Sequence, residues 1–440
     1  MRCQLSLTGP PRDAQTLLGL LLQRADERNR AGLALHKDAA PHGKPPGSGP
    51  AHAPDGKADG KPDAKAATSS SAESEASCRP GPDPDDPALP LFREALACTT
   101  LAMRFPSPSV AMLRQRGIAQ RELGAVEDAR DTFSRALATA PDDPALLADA
   151  ADLYISHLSA TREHSEIGLL YAERGQKQLQ PNPSADAGRG GRSAARRLRD
   201  RARGLSDGTR ELLAQLHLLT GQALLDLGRA SQALPALDAA LRLRESPEAR
   251  YERAVALFEL CRFPEAQVAF EQLLAGNPSA RKAAWSHYHL GLILEQLGPR
   301  EAAERELALA QKLMPDHFPA PLPIDAAEFA RLVKQESDNL PPSSAADLKL
   351  VRLELADIPD PRDLTLESPP LSPTILGLYR GLPLGDEPSE PRSIVLYRKN
   401  LLRAVRSQRE LVQEIEKTLL HELGHLHGAD EDDLREEGLE

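Results

Sequence analysis

A chain of 440 residues is long enough for about three domains of roughly 150 residues each, and its 40% apolar content supplies more than one buried core. The 54 Lys and Arg against 65 Asp and Glu leave a net charge of -11, which excludes a protein that binds nucleic acid through its overall charge. Aromatic residues at 3% thin out the stacking surfaces of single-strand readers and speak against an all-β fold, so the composition points to helix.

In chain order, residues 1–35 hold one amphipathic helix, from about Asp13 to Leu35, with Leu17, Leu18, Leu21 and Leu22 at helical spacing. Residues 36–90 are Pro, Gly, Ala, Ser, Asp and Lys with almost no large apolar side chain, so they are expected as a disordered linker. Its His42 and His52 are poor metal ligands in such a tract. Cys3, Cys78, Cys98 and Cys261 show no metal-ligand spacing and are expected as reduced thiols. No stretch approaches the ~20 apolar residues of a membrane span, and the only N-terminal apolar run is too short for a signal sequence. The expectation is a cytoplasmic protein without membrane contact.

Residues 91–317 carry a repeat. Gly117, Ala129, Phe133, Ala136 and Pro141 stand at offsets 0, 12, 16, 19 and 24, and the same offsets recur in Gly221, Ala233, Leu237 and Ala240. They recur again in Ala254, Ala266, Phe270, Leu273 and Pro278, and in Gly291, Ala303, Leu307, Ala310 and Pro315. Small residues let two helices approach, a larger one fills the space between them, and the proline ends the second helix. These residues resemble the tetratricopeptide repeat, a helix–turn–helix unit, and the resemblance implies an array that docks a protein partner. A more degenerate unit is expected in Pro144–Pro183, and a half-unit before Met112. An insertion at 182–208 packs Arg189, Arg192, Arg196, Arg197, Arg199, Arg201 and Arg203 together without interleaved aromatics, so a solvated segment is expected and no nucleic-acid partner.

Residues 320–440 form a separate, small α+β domain, which makes the chain mainly α overall. Ala326–Leu340 reads as a helix, Leu348–Leu355 and Ser393–Tyr397 as strands, Pro359–Pro373 as a loop, and Arg409–His427 as a long helix with its stripe on Leu411, Ile415, Leu419, Leu423 and Leu426.

That helix ends in His421-Glu422-Leu423-Gly424-His425. Residues four apart on a helix lie one turn up, so both imidazoles can reach one ion. Zinc accepts two nitrogens and a carboxylate at about 2 Å and keeps one position open for water. Glu422, on an adjoining face, is placed to act as general base. Gly428 can end the helix and turn the chain back, bringing Glu431 toward the metal as third ligand, with Asp430 and Asp432 as alternatives in the same acidic run. His427 is expected on the side of the helix away from His425.

Ile375–Pro383, Ile394–Arg398 and His421–Gly428, with Leu434 and Gly438 behind them, resemble the bacterial minimal metalloprotease-like, zincin-like family. The resemblance implies a zinc-dependent peptidase with one zinc per chain on His421, His425 and Glu431, Glu422 as catalytic base, and a protein or peptide substrate. It further implies that strand Ile394–Tyr397 lies beside the active helix and pairs an extended peptide, that the loop Gly377–Pro383 forms the rim, and that Tyr379 and Tyr397 are candidate oxyanion donors. The leading expectation is a zinc metallopeptidase whose array recruits a substrate or regulator. The alternative is a non-catalytic interaction scaffold with a structural zinc.

Overall fold

The computed structural model describes residues 14–38, 86–104, 108–158, 161–179, 205–366, 368–385 and 391–439. His42 and His52 with most of the expected linker, the cluster Arg189–Arg203, Cys3 and Cys78 lie outside the described residues. The described residues fall into two compact units, one ending at Met314 and the other beginning at Pro315. Among them, no helix is long and apolar enough to cross a membrane.

The first unit consists of α1 (Ala14–Asp38), α2 (Leu89–Ala102), α3 (Val110–Glu122), α4 (Val126–Thr139), α5 (Pro144–Asp152), α6 (Arg162–Leu179), α7 (Asp207–Asp226), α8 (Ala230–Leu243), α9 (Pro247–Glu259), α10 (Phe263–Ala275), α11 (Ala280–Leu297) and α12 (Arg300–Leu313). Each odd-numbered helix packs on the even-numbered one after it, and each pair on the next, which makes a helical solenoid. From α3 onward the first helix of every pair starts at a side-chain cap, Ser109, Asp143, Ser206, Ser246 or Ser279, which satisfies amide groups that the helix leaves open. The expected degenerate unit is the pair α5 and α6. The insertion expected at 182–208 ends earlier than its composition suggests, because Ser206 already caps α7.

The spacing between paired helices is set by the small residue at offset 0. A Cβ at Gly117 would stand 2.5 Å from the Phe133 ring, one at Gly221 2.4 Å from Leu237, and one at Gly291 2.6 Å from Leu307. Such contacts do not occur, so a side chain there would force the helices apart. The same contact appears where the sequence shows no repeat: a Cβ at Gly32 would stand 2.5 Å from the Phe92 ring. Ala88, Phe92 and Ala95, all buried, reproduce the spacing of Ala129, Phe133 and Ala136. The N-terminal helix, expected as an element of its own at residues 1–35, is therefore half of the first pair. The repeat is hidden because 60 residues separate Gly32 from Phe92, against 16 between Gly117 and Phe133.

Two cysteines correct or refine the expectation. Cys98 is disulfide-bonded; spacing in sequence does not show which thiols meet in space. Cys261 is a thiol outside any disulfide and holds φ 55°, at the helix-ending position that Gly124, Gly228 and Gly298 fill in other pairs.

Between α9, α10 and α11 the imidazole of His289 is fully buried. It stacks on Phe270 at 4.8 Å and meets Tyr251, Phe258, Trp285 and Tyr288 edge-on or tilted. Its Nδ1 lies 2.8 Å from the Trp285 carbonyl, so Nδ1 carries the proton and donates. Burial pushes the imidazole down to about 4, while the Trp285 carbonyl pulls it slightly up. A group charged in the unfolded chain below about 6.5 but neutral in the fold loses stability as pH falls from 6.5 toward 4. His289→Leu is expected to flatten the acid limb of stability by up to about 3 kcal/mol, read from denaturant midpoints at pH 7 and pH 4.5. An unchanged limb would show that His289 does not titrate in this range.

The second unit holds α13 (Ala326–Asn339), α14 (Pro342–Asp347), β1 (Arg352–Ala356), α15 (Pro361–Leu364), β2 (Gly377–Arg380), β3 (Ser393–Tyr397), α16 (Arg398–Ala404), α17 (Gln408–Leu426) and α18 (Glu431–Glu436). The sheet order is β1-β3-β2, with β1 parallel and β2 antiparallel to β3. Ile394 and Leu396 of β3 pack on Leu411, Ile415, Leu419 and Leu423 of α17 and on Phe329, Leu332 and Val333 of α13. The expected loop Gly377–Pro383 is a strand over its first half, and the expected strand from Leu348 starts only at Arg352, after a tight helical turn at Leu348–Leu350. The expected pairing of a peptide with Ile394–Tyr397 is corrected as well: β3 is the central strand and both its edges are taken. Short strands do not reveal their neighbours, because edge or centre is decided by partners far away in sequence.

Candidate metal centre

α17 begins at Ser407, whose side chain accepts the Glu410 N–H while Glu410 accepts the Arg406 N–H. Its stripe Leu411, Ile415, Leu419, Leu423 and Leu426 is buried in the domain core, which fixes the rotation of the helix. His421, Glu422 and His425 then follow from helical geometry.

The three side chains assigned to the metal from sequence lie together. The two imidazole Nε2 atoms are 3.2 Å apart, and Glu431 carboxylate oxygens lie 3.4 Å from His425 Nε2 and 3.8 Å from His421 Nε2. Each Nδ1 faces a backbone carbonyl, His421 that of Leu439 at 3.1 Å and His425 that of Ala429 at 3.0 Å. A carbonyl only accepts, so both Nδ1 atoms donate and the Nε2 lone pairs converge beside a carboxylate. Such a grouping is repulsive without a proton or a cation between its members. Ligands about 2.0–2.1 Å from a tetrahedral ion stand about 3.4 Å from one another, which these separations match, and two nitrogens with one carboxylate suit zinc. The residues present therefore fit the metal.

Electrostatics reflect the same grouping. The hydrogen bond with Glu431, ahead of burial, raises the His425 imidazole, and the same bond with His425 lowers the Glu431 carboxyl. Burial lowers the His421 imidazole. Burial also raises Glu422 to about 7, against His425 and the Tyr379 N–H, which pull it down. Glu422 is buried where β2 crosses α17: a Cβ at Gly377 would stand 2.7 Å from Thr418 Cγ2 and 2.8 Å from Glu422 Oε1. In the β2–β3 ladder the Tyr397 N–H donates to Leu376, so the N–H groups of Gly377 and Tyr379 point away from β3. The free edge of β2 thus faces Glu422.

Of the alternatives to Glu431, Asp430 uses its carboxylate to accept the Asp433 N–H, and the side chain of Asp432 lies outside the described residues. His427 ends α17 and lies 2.8 Å from Asp347, away from the pair. The hydroxyl of Tyr379 donates to the Leu382 carbonyl at 2.8 Å. Tyr397 is 1% exposed, with Asp363, Arg380 and Glu422 near enough to act on its hydroxyl. Sequence reasoning missed the carbonyls of Ala429 and Leu439, because any residue supplies a carbonyl and only the chain path selects one.

Residues 348–439 match the family described as zincin-like metallopeptidase, and residues 88–144 and 218–266 match the tetratricopeptide repeat. The C-terminal unit is thus similar to zincin-like metallopeptidases over these residues. Among solved structures, YrrB, described as a TPR protein with an unusual peptide-binding site, is similar at 19% identity over 50% of this chain and 93% of its own, with a TM-score of 0.34. TTC0263, described as a thermophilic TPR protein in Thermus thermophilus, is similar at 18% identity over 50% of this chain and 92% of its own, with a TM-score of 0.31. No curated protein matches the chain.

Proposed function

We propose that the protein is a zinc metallopeptidase whose repeat array recruits a protein substrate or regulator. The observation that supports the reading is the convergence of His421 Nε2, His425 Nε2 and the Glu431 carboxylate at 3.2 to 3.8 Å, with both Nδ1 atoms tied back to carbonyls. These three side chains would hold the ion. When bound, zinc supplies Lewis acidity at a peptide carbonyl and a water of lowered pKa.

The remaining work falls to the chain's own residues. Glu422 adjoins the two histidines, is shielded from solvent, and takes a proton at its carboxylate before passing it to the leaving amine. The outer edge of β2, in place of β3, offers the Gly377 N–H and its outward C=O groups to an extended peptide, which would lie antiparallel or parallel to it across α17, while Glu422 holds the Tyr379 N–H. The rim after β2 is held in shape by Arg392, which donates to the carbonyls of Leu382 and Pro383, and by Leu384 N–H, which donates to Leu426 at the end of α17. The array contributes recruitment, in line with the repeat family to which it is similar.

Protein purified without chelator is expected to hold one zinc per chain by elemental analysis, and His425→Ala none. Wild-type protein free of metal would end the peptidase reading. Zinc at one per chain with no turnover of any peptide would favour the scaffold.

A further inference from the structure

The zinc ligands sit on two elements that different forces hold. α17 is fixed by the domain core, whereas Glu431 belongs to the return segment 427–439, which must be docked onto α17 by contacts of its own. Those contacts form a repeated design. At the end of α17, Gly428 adopts φ 85°, with Gly428 N–H donating to His425 and Ala429 N–H to Gly424. At the end of α18, Gly438 adopts φ 76°, with Gly438 N–H donating to Arg435 and Leu439 N–H to Leu434. These are two left-handed glycine stops of the same type. In each, the residue after the glycine presents its carbonyl to one histidine, Ala429 to His425 and Leu439 to His421.

An apolar contact helps to hold the segment against the helix. Leu434 is fully buried, and a Cβ at Gly424 would stand 2.2 Å from its Cδ2. The glycine between the two histidines therefore opens the slot that Leu434 fills. Between the stops, Asp430 and Asp433 accept each other's N–H groups, which starts α18 and sets Glu431 at its first turn.

We propose that residues 427–439 are a metal-coupled clasp, in which docking of Leu434 onto Gly424 and binding of zinc are one equilibrium. The clasp supplies one ligand and the orienting carbonyls of the other two, so the site is complete only when it is closed. A bound ion in turn ties Glu431 to α17 and keeps the segment docked. This rests on the zinc reading above. Leu434, Gly424 and Gly438 are positioning residues, since none of them touches the ion.

The test is zinc affinity, measured by competition with a chromophoric chelator, together with amide hydrogen exchange over residues 427–439 before and after zinc addition. The full chain is used throughout. Wild type is expected to bind zinc and to gain exchange protection at Leu434, Gly438 and Leu439. Leu434→Ala and Gly438→Val are each expected to weaken binding by about 10–100-fold. Gly438→Asn is expected to restore most of it, because asparagine tolerates the left-handed conformation that valine resists. Gly438→Val removes no buried side chain, so it remains informative if Leu434→Ala disturbs the core. Wild-type affinity in both variants, or exchange over 427–439 that zinc leaves unchanged, would overturn the clasp while leaving the zinc site standing. A wild type that binds no zinc would remove the metal reading and the clasp with it.

Discussion

Glu422→Gln is expected to keep its zinc and lose about 10²–10⁴-fold in kcat/KM toward peptides. Glutamine has the same shape and still accepts the Tyr379 N–H, so the packing of β2 on α17 through Gly377 survives. What it cannot do is take a proton. Glu422 is 5% exposed, and burial raises its carboxyl to about 7 in the chain without an ion. The check is turnover of a mixed peptide library followed by mass spectrometry, with zinc measured on the same samples. Equal turnover by both proteins would take Glu422 out of the mechanism. Zinc lost from the variant would instead make Glu422 part of the metal's support.

Phe92→Ala is expected to lower the stability of the array by about 3–5 kcal/mol, the range for deleting a buried phenylalanine ring from a packed core. The ring fills the contact with Gly32, and it joins helices on either side of a long intervening stretch. Arg24 and Arg28 reach Glu94 at 2.9 and 2.7 Å, and Asn29 donates to the Gln115 carbonyl at 2.8 Å, so α1 is tied to α2 and α3 by polar contacts as well. In a solenoid each pair is stabilised by its neighbours, so loosening the first pair also exposes the face of α3. Denaturant unfolding of the full chain measures the effect. A midpoint unchanged in Phe92→Ala would mean that α1 does not belong to the array.

Much of this architecture is legible in the sequence, and the reason is locality. The offsets from Gly117 to Pro141 lie within one helix pair, so a window of a few tens of residues contains every residue whose size matters. The pair α1 and α2 obeys the same rule and escaped notice because its two halves are far apart in sequence. The strand at Ser393–Tyr397 could be read from its apolar run, but its central place in the sheet could not. That place depends on Arg352–Ala356 and Gly377–Arg380, which no local pattern connects to it.

The candidate metal centre divides along the same line. His421, Glu422 and His425 share one turn of one helix, and helical geometry alone brings the two imidazoles to one point, so the sequence by itself determined this part and the chemistry it suggests. Gly424 was visible in the motif, but its purpose was not, since only the docked chain shows Leu434 in its slot. The approach of Glu431 to His425, the Leu439 carbonyl on His421 and the free edge of β2 beside Glu422 were decided by tertiary structure. Each depends on where a turn or a neighbouring strand delivers the backbone, and residue type encodes such a path only weakly.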